Sequence, residues 1–198
     1  MVVFPAVSEL NLDPSSTALL IMDLQPSITS MLPDPDAFIG RLLDARAAAR
    51  DAGLTVAYVR VGISKEEAAQ VPESNIRFHQ ASASGRMDAD APHTQVDPRI
   101  APADGEIVVR KRRVGALGTT DLDEQLRSRG IDTLVLTGIS TSGVVLTTLR
   151  DAADRDYRLV VLADGCFDSD DEVHRVLTEK IFPRQAQVVS VADFAASL

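Results

Sequence analysis

The run Thr17-Ala-Leu-Leu-Ile-Met22, closed by Asp23-Leu-Gln25, decides the fold. A strand with one wet face alternates apolar and polar residues, whereas this run is apolar almost without a break. Such strands are covered on both faces, as in parallel sheets flanked by helices. Downstream, residues 36–52 carry helix formers with an apolar stripe at Phe38, Leu42, Leu43 and Ala47, and Gly53 stops them. Residues 54–61 are β-branched and strand-like. A long polar stretch follows at 62–105, with a short helix expected near 65–70. Pro72, Pro92, Pro98 and Pro102 predict that the rest of it is irregular. Further strands are expected at 106–110, 133–137, 158–163 and 187–190. Helices are expected at 121–129, 142–155 and 170–180, with a short one at the end of the chain. This repetition builds βαβ units. The reading is a doubly wound α/β fold with a mainly parallel sheet and helices on both faces. The 198 residues fit one domain, residues 1–198.

Charge and composition narrow the partners. Twenty Lys+Arg against 29 Asp+Glu leave a formal charge of −9, which argues against nucleic acid or an anionic membrane as a partner. The longest apolar run, 18–22, falls far short of the ~20 residues of a membrane helix. MVVFPAVSEL at the start has no positive charge before its apolar residues and breaks at Pro5, so no leader is expected. The single cysteine, Cys166, excludes an intrachain disulfide framework and a thiol-rich metal cluster. These features read as a cytoplasmic protein.

In a doubly wound fold the site lies beyond the carboxyl ends of the strands. That rule selects Asp23 and Gln25 after the first strand, Gly62 onward after the second and Lys111 after the third, with residues 138–144 and 164–168 after the later strands. A carboxylate at Asp23 would be partly desolvated; it reads as an acid–base group or as a helix cap or ion-pair partner. In IVVRKRR, strand alternation puts Lys111 on the inward side with Val109, opposite Arg110 and Arg112. An inward lysine there can pair with Asp23. In Gly138-Ile-Ser-Thr-Ser-Gly-Val144 the small residues allow close approach of backbone, and the first amides of the following helix can face an anion. The same residues also read as a plain capped helix start, with Ser140, Thr141 or Ser142 as the cap.

Taken together these segments resemble the isochorismatase-like superfamily of cysteine hydrolases, which includes nicotinamidases, N-carbamoyl-amide hydrolases and isochorismatases. The resemblance runs from TALLIMDLQ through VVRKRRVGALGTTDLDEQLRSRGIDTLVLTGISTSGVVLTTLRDAADRDYRLVVLADGC to EVHRVLTEKIFPRQAQVVS. It implies a doubly wound α/β fold, a homodimer or homotetramer, and a catalytic Asp, Lys and Cys. Asp23 matches the Asp and Lys111 the Lys. A non-proline cis peptide in the strand–helix turn would fall at Ile139–Ser140. The family pattern G-[IV]-A-T-x-x-C-V puts its Cys at Val144, which cannot act as a nucleophile, and Cys166 lies after the next strand as a packed thiol. The metal-binding Asp-x-His pattern of nicotinamidases is absent, so neither metal nor cofactor is expected. Isochorismatases carry glycine in place of the cysteine and are thought to protonate a vinyl ether with the Asp.

The expectation is therefore a hydrolase-like protein acting on a small, carboxylate-bearing substrate by non-covalent acid/base chemistry. Asp23 is the acid/base and Lys111 acts electrostatically and holds a substrate carboxylate. Gln25, Ser140, Thr141, Ser142, Gly143 and Val144 line the pocket. The histidines offer no clear base, with His174 read as exposed on its helix. The alternative is a catalytically silent member that binds a small ligand or serves as an assembly subunit. A nicotinamide-dependent dehydrogenase is excluded, because Asp23-Leu-Gln-Pro-Ser27 replaces the glycine-rich turn it needs.

Overall fold

The computed structural model describes residues 10–198; the reading of the first nine residues, with its break at Pro5, lies outside them. Six strands, β1 Thr17–Met22, β2 Thr55–Val61, β3 Ile107–Lys111, β4 Thr133–Ile139, β5 Arg158–Phe167 and β6 Gln187–Val189, form one sheet. Its order is β3-β2-β1-β4-β5-β6, and every pairing is parallel. The helices are α1 Pro26–Thr29, α2 Pro35–Asp51, α3 Lys65–Ala68, α4 Ile76–Ala83, α5 Leu122–Ser128, α6 Leu146–Asp154, α7 Asp171–Val176 and α8 Val191–Ala196.

The apolar run that opened the reading is the centre of this sheet. All six residues of β1 are buried. Their alternation feeds two cores: Ala18, Leu20 and Met22 pack with Leu122 and Leu126 of α5 and Leu149 of α6. Leu19 and Ile21 pack with Phe38, Ile39 and Leu42 of α2 and Phe194 of α8. Each such leucine contributes about 1.5–3 kcal/mol by leaving water, so β1 is held from both faces at once.

Three differences from the sequence reading have physical causes. The buried stripe of α2 is Phe38, Ile39, Leu42, Ala45 and Ala49, whereas Leu43 is half-buried and Ala47 exposed. Steps of four, three and four residues follow the helical period, and Leu43–Ala47 falls on the neighbouring face. The polar stretch is more regular than expected, because α4 lies within it. Asn75 starts that helix by accepting from the Phe78 amide, and Phe78 alone anchors it against Val61, Ile63 and Val71. One buried residue in eight leaves no readable periodicity. β5 runs on to Phe167, because after a register shift Cys166 and Phe167 pair with Gly138 and Ile139.

Gly138 fixes how β4 reaches the site. Its φ is +144°, and a Cβ there would lie 2.4 Å from the Met22 carbonyl oxygen. Only glycine lets β4 pass this close to the end of β1. The peptide that follows, Ile139–Ser140, is cis. A π-helical turn, Thr141–Val145, then leads directly into α6.

Candidate functional site

Asp23 and Lys111 meet where β1 and β3 end. The burial of β3 alternates, with Ile107, Val109 and Lys111 inward and Val108 exposed. Lys111 Nζ lies 2.8 Å from Asp23 Oδ2. It also donates to the carbonyls of Arg113 at 3.3 Å and Val114 at 2.7 Å. All three ammonium protons therefore have acceptors. This differs from the expectation that Lys111 would also hold a substrate carboxylate, since no donor is left over.

Asp23 is less well satisfied. Its backbone sits at φ +61°, which for a residue with a side chain costs of order 1–3 kcal/mol. Its amide donates to the Val59 carbonyl at 2.7 Å, so β2 holds the residue in that conformation. One carboxylate oxygen, Oδ2, takes the lysine. The other, Oδ1, is buried with no hydrogen-bond partner. Burial pushes the Asp23 carboxyl up, opposed by the charge and hydrogen bond of Lys111 and by the charge of Arg77. The rise follows from a site only 5% exposed in which one oxygen goes without a donor.

A cavity of about 420 Å³ opens over this pair. Asp23, Lys111, Gln25, Ser140, Gly143 and Val144 are all in its wall. Gln25 is committed to the frame: its amide donates to the carbonyls of Val61 and Thr94 and accepts from the Val61 amide. It ties β1, β2 and the segment around Thr94 together. Thr141 and Ser142 are not in the cavity wall. The Thr141 hydroxyl meets His174 Nδ1 at 2.8 Å, and Ser142 donates through its amide and hydroxyl to Asp168 Oδ2 at 2.7 and 2.6 Å. His174 is thus half-buried and engaged, in contrast to its reading as exposed. None of the serines and threonine read as helix caps bonds the turn's own amides in that role; Asp168 reaches in from beyond β5.

Cys166 stands apart from the cavity. Its thiol is buried 3.9 Å from the Leu136 carbonyl, and burial pushes it up to about 12. Such a thiol carries almost no thiolate at neutral pH.

The polar stretch, which the strand-end rule selects from Gly62 onward without singling out a residue, supplies further parts of the wall. Arg77 and Phe78 of α4, Arg86 and Met87 after it, and His93 also line the cavity. Asn75, a residue type that starts helices, is the one signal in the sequence that could have found α4, and none marks His93. Among the described residues neither Arg77 nor Arg86 has a carboxylate partner. Among them, too, no three His, Cys, Asp or Glu side chains come together to hold a metal ion, and no helix is long and apolar enough to cross a membrane.

Comparison with known proteins agrees with this geometry. The isochorismatase domain family matches residues 17–193. The isochorismatase family protein YecD of Escherichia coli O157:H7 is 34% identical over 199 residues, covering 96% of this chain and 100% of that one. Ureidoacrylate amidohydrolase RutB of Methylobacterium radiotolerans is 34% identical over 228 residues, covering 100% of this chain and 85% of that one. Among solved structures, an isochorismatase family protein from Burkholderia thailandensis superposes with a TM-score of 0.82 at 30% identity, over 96% of this chain and 99% of that one. With an Asp–Lys pair at the carboxyl ends of a doubly wound sheet and a family match along nearly its whole length, the chain belongs to the isochorismatase family.

Proposed function

We propose that this isochorismatase-family protein hydrolyses a small, carboxylate-bearing substrate by acid–base chemistry without a covalent intermediate. The observation that carries the reading is Asp23, a carboxylate in the cavity wall of which one oxygen, Oδ1, is buried without a hydrogen-bond partner. A raised carboxyl holds its proton further toward neutrality, as a general acid must. In a vinyl-ether hydrolysis, protonated Asp23 gives its proton to the alkene carbon, and water adds to the resulting cation. One proton of that water returns to the Asp23 carboxylate and the other goes to the leaving oxygen as the ether bond breaks, which releases an alcohol and leaves a carbonyl. Lys111 stabilises that carboxylate between proton transfers. Val144 fits this reading, because the position that the family pattern gives to a nucleophile is here a hydrocarbon side chain.

RutB is named for amide hydrolysis, so amides belong beside enol ethers in the test. A panel of small carboxylates bearing either bond, followed by proton NMR, is expected to yield a substrate. Asp23→Asn is expected to lower kcat on it by about 10²–10⁴. Full turnover by the Asn variant would overturn the assignment. The closed Asp23–Lys111 pair gives weight to one rival, a silent ligand-binding or assembly subunit. Ligand binding with no turnover of any compound in the panel would favour it. We place the enzyme in the cytoplasm as a homodimer or homotetramer; light scattering tests the assembly, and a single-chain mass would reject it.

A further inference from the structure

With every proton of Lys111 taken, the carboxylate of the proposed substrate needs another partner. Beside the main cavity lies a second hollow of about 390 Å³. The two share Arg77, Phe78 and Val114 as a common wall. Arg113 lines the second hollow, its guanidinium carbon 5.6 Å from the centre of the Phe78 ring. One of its nitrogens donates to the Arg112 carbonyl. Among the described residues neither Arg77 nor Arg113 pairs with a carboxylate, although the chain carries 29 acids against 20 bases. Neighbouring arginines do find partners, Arg110 with Glu67 at 2.6 Å and Arg112 with Glu67 at 3.7 Å. The acid that faces the hollow, Asp151, is matched by Arg155 at 2.7 Å. The hollow is therefore left with two guanidiniums that make no ion pair, although the charge of Arg77 also acts on Asp23 across the shared wall.

We propose that this second hollow is an anion subsite, where Arg77 and Arg113 receive the carboxylate of the substrate while its reacting bond lies against Asp23. The inference rests on the proposed hydrolase reading for calling that ligand a substrate. The apolar partition of Phe78 and Val114 would then meet the hydrocarbon between the two ends. Guanidinium is suited to the task, since its planar fork can take both oxygens of a carboxylate. The substrate class becomes a monoanion with an apolar body, its charge set well away from the scissile bond.

Binding tests the subsite without turnover. Isotope-labelled protein is titrated with hexanoate and, separately, with hexanol, and amide shifts are followed. Hexanoate is expected to move the amides of Gly115, Gly118 and Thr119, whereas hexanol moves those of Ser140 and Gly143 only. Arg113→Gln is expected to weaken hexanoate about tenfold and leave hexanol unchanged. Gly118→Leu is a second, steric test, because a Cβ there meets only Asp151 Oδ2, at 3.8 Å. It fills the hollow without removing a charge and is expected to abolish the hexanoate shifts at Gly115 and Thr119. Unchanged hexanoate affinity in both variants would overturn the subsite. Should no compound of the panel be turned over while hexanoate still shifts Gly115 and Thr119, the hydrolase reading falls and the subsite stands.

Discussion

Two buried carboxylates at the same edge of the sheet have opposite fates. Asp97, 2% exposed, has four donors: the Thr29 hydroxyl and Arg99 Nη2 on Oδ2, and the Arg99 amide and Nε on Oδ1. These hold its carboxyl down at about 2, the Arg99 bonds contributing most. Asp23, 5% exposed, has one donor and an orphaned oxygen, and burial pushes it up. Both are shielded from water, but Asp23 lies much deeper and has fewer donors, and depth and donors together give shifts of opposite sign. A carboxylate whose every lone pair is used is fixed in its charge state and fastens structure. One left short of donors can exchange a proton, and it is the one in the cavity wall.

The strongest way to break this contrast is to remove the one donor that Asp23 has. Lys111→Met strands a buried charge and frees the carbonyls of Arg113 and Val114. The expected loss is about 3–5 kcal/mol in urea unfolding, with Asp23 taking up a proton in compensation. Adding Asp23→Asn to that variant removes the stranded charge and is expected to recover part of the loss. A Lys111→Met protein as stable as wild type would mean that the pair is not what organises the floor of the cavity.

Asp97 is expected to respond less, and in the opposite pH direction. Its folded value, about 2, lies below the ordinary 3.8, so its stabilisation is present above 3.8 and fades as pH falls toward about 2. Asp23, raised by burial, contributes in the reverse sense: its share is present below the ordinary value and lost as pH rises through its folded one. Asp97→Asn is expected to lower stability by about 1–3 kcal/mol at neutral pH, toward the lower end because Arg99 is 42% exposed and screened by water. The same variant is expected to flatten the acid limb of a Tm–pH curve between about 4 and 2. An unchanged acid limb would show that the Asp97 bonds are not what ties residues 97–100 to α1.

How far this contrast was legible beforehand depends on how local its causes are. The sheet was readable because the β1 run and the strand–helix alternation are repeated, short-range signals. The inward side of Lys111 followed from alternation alone, and with it the meeting with Asp23. The orphaned oxygen was not readable, since it depends on which donors three separate segments bring to one point. Thr141 and Ser142 are expected in the pocket because they follow a strand's carboxyl end in a turn of small residues, where the first helix amides can face an anion. The π-helical turn instead rotates them toward His174 and Asp168. Arg77 was hidden for a further reason: α4 is anchored by Phe78 alone, and short elements with one anchor leave little pattern.

A smaller effect sharpens the comparison from the cavity's other wall. Val144 is buried yet borders the same space as Asp23 and Lys111. Val144→Cys removes about one methyl's volume, so the expected loss of stability is below about 1 kcal/mol. Its thiol would stand beside a lysine and is expected to alkylate with iodoacetamide, whereas the wild-type protein is not. Failure of the variant to react while still folded would place residue 144 out of reach of the cavity.

The least effect of all is expected at Cys166, where the contrast between exchangeable and fixed groups extends to a thiol. It is buried against the Leu136 carbonyl in a core shared with Val161 and Leu136, and its thiol is pushed up to about 12. Alkylation needs thiolate and access, and the native fold denies both. Ellman's reagent is therefore expected to release no chromophore from the native protein and one equivalent after urea unfolding. Any native-state reaction would have to proceed through opening of the β4–β5 pair, and its rate would then rise steeply with low concentrations of urea. A reaction at a rate insensitive to urea would mean that Cys166 is reachable from solvent. The chain's one cysteine would then return as a candidate nucleophile, and the case for a non-covalent mechanism at Asp23 would weaken.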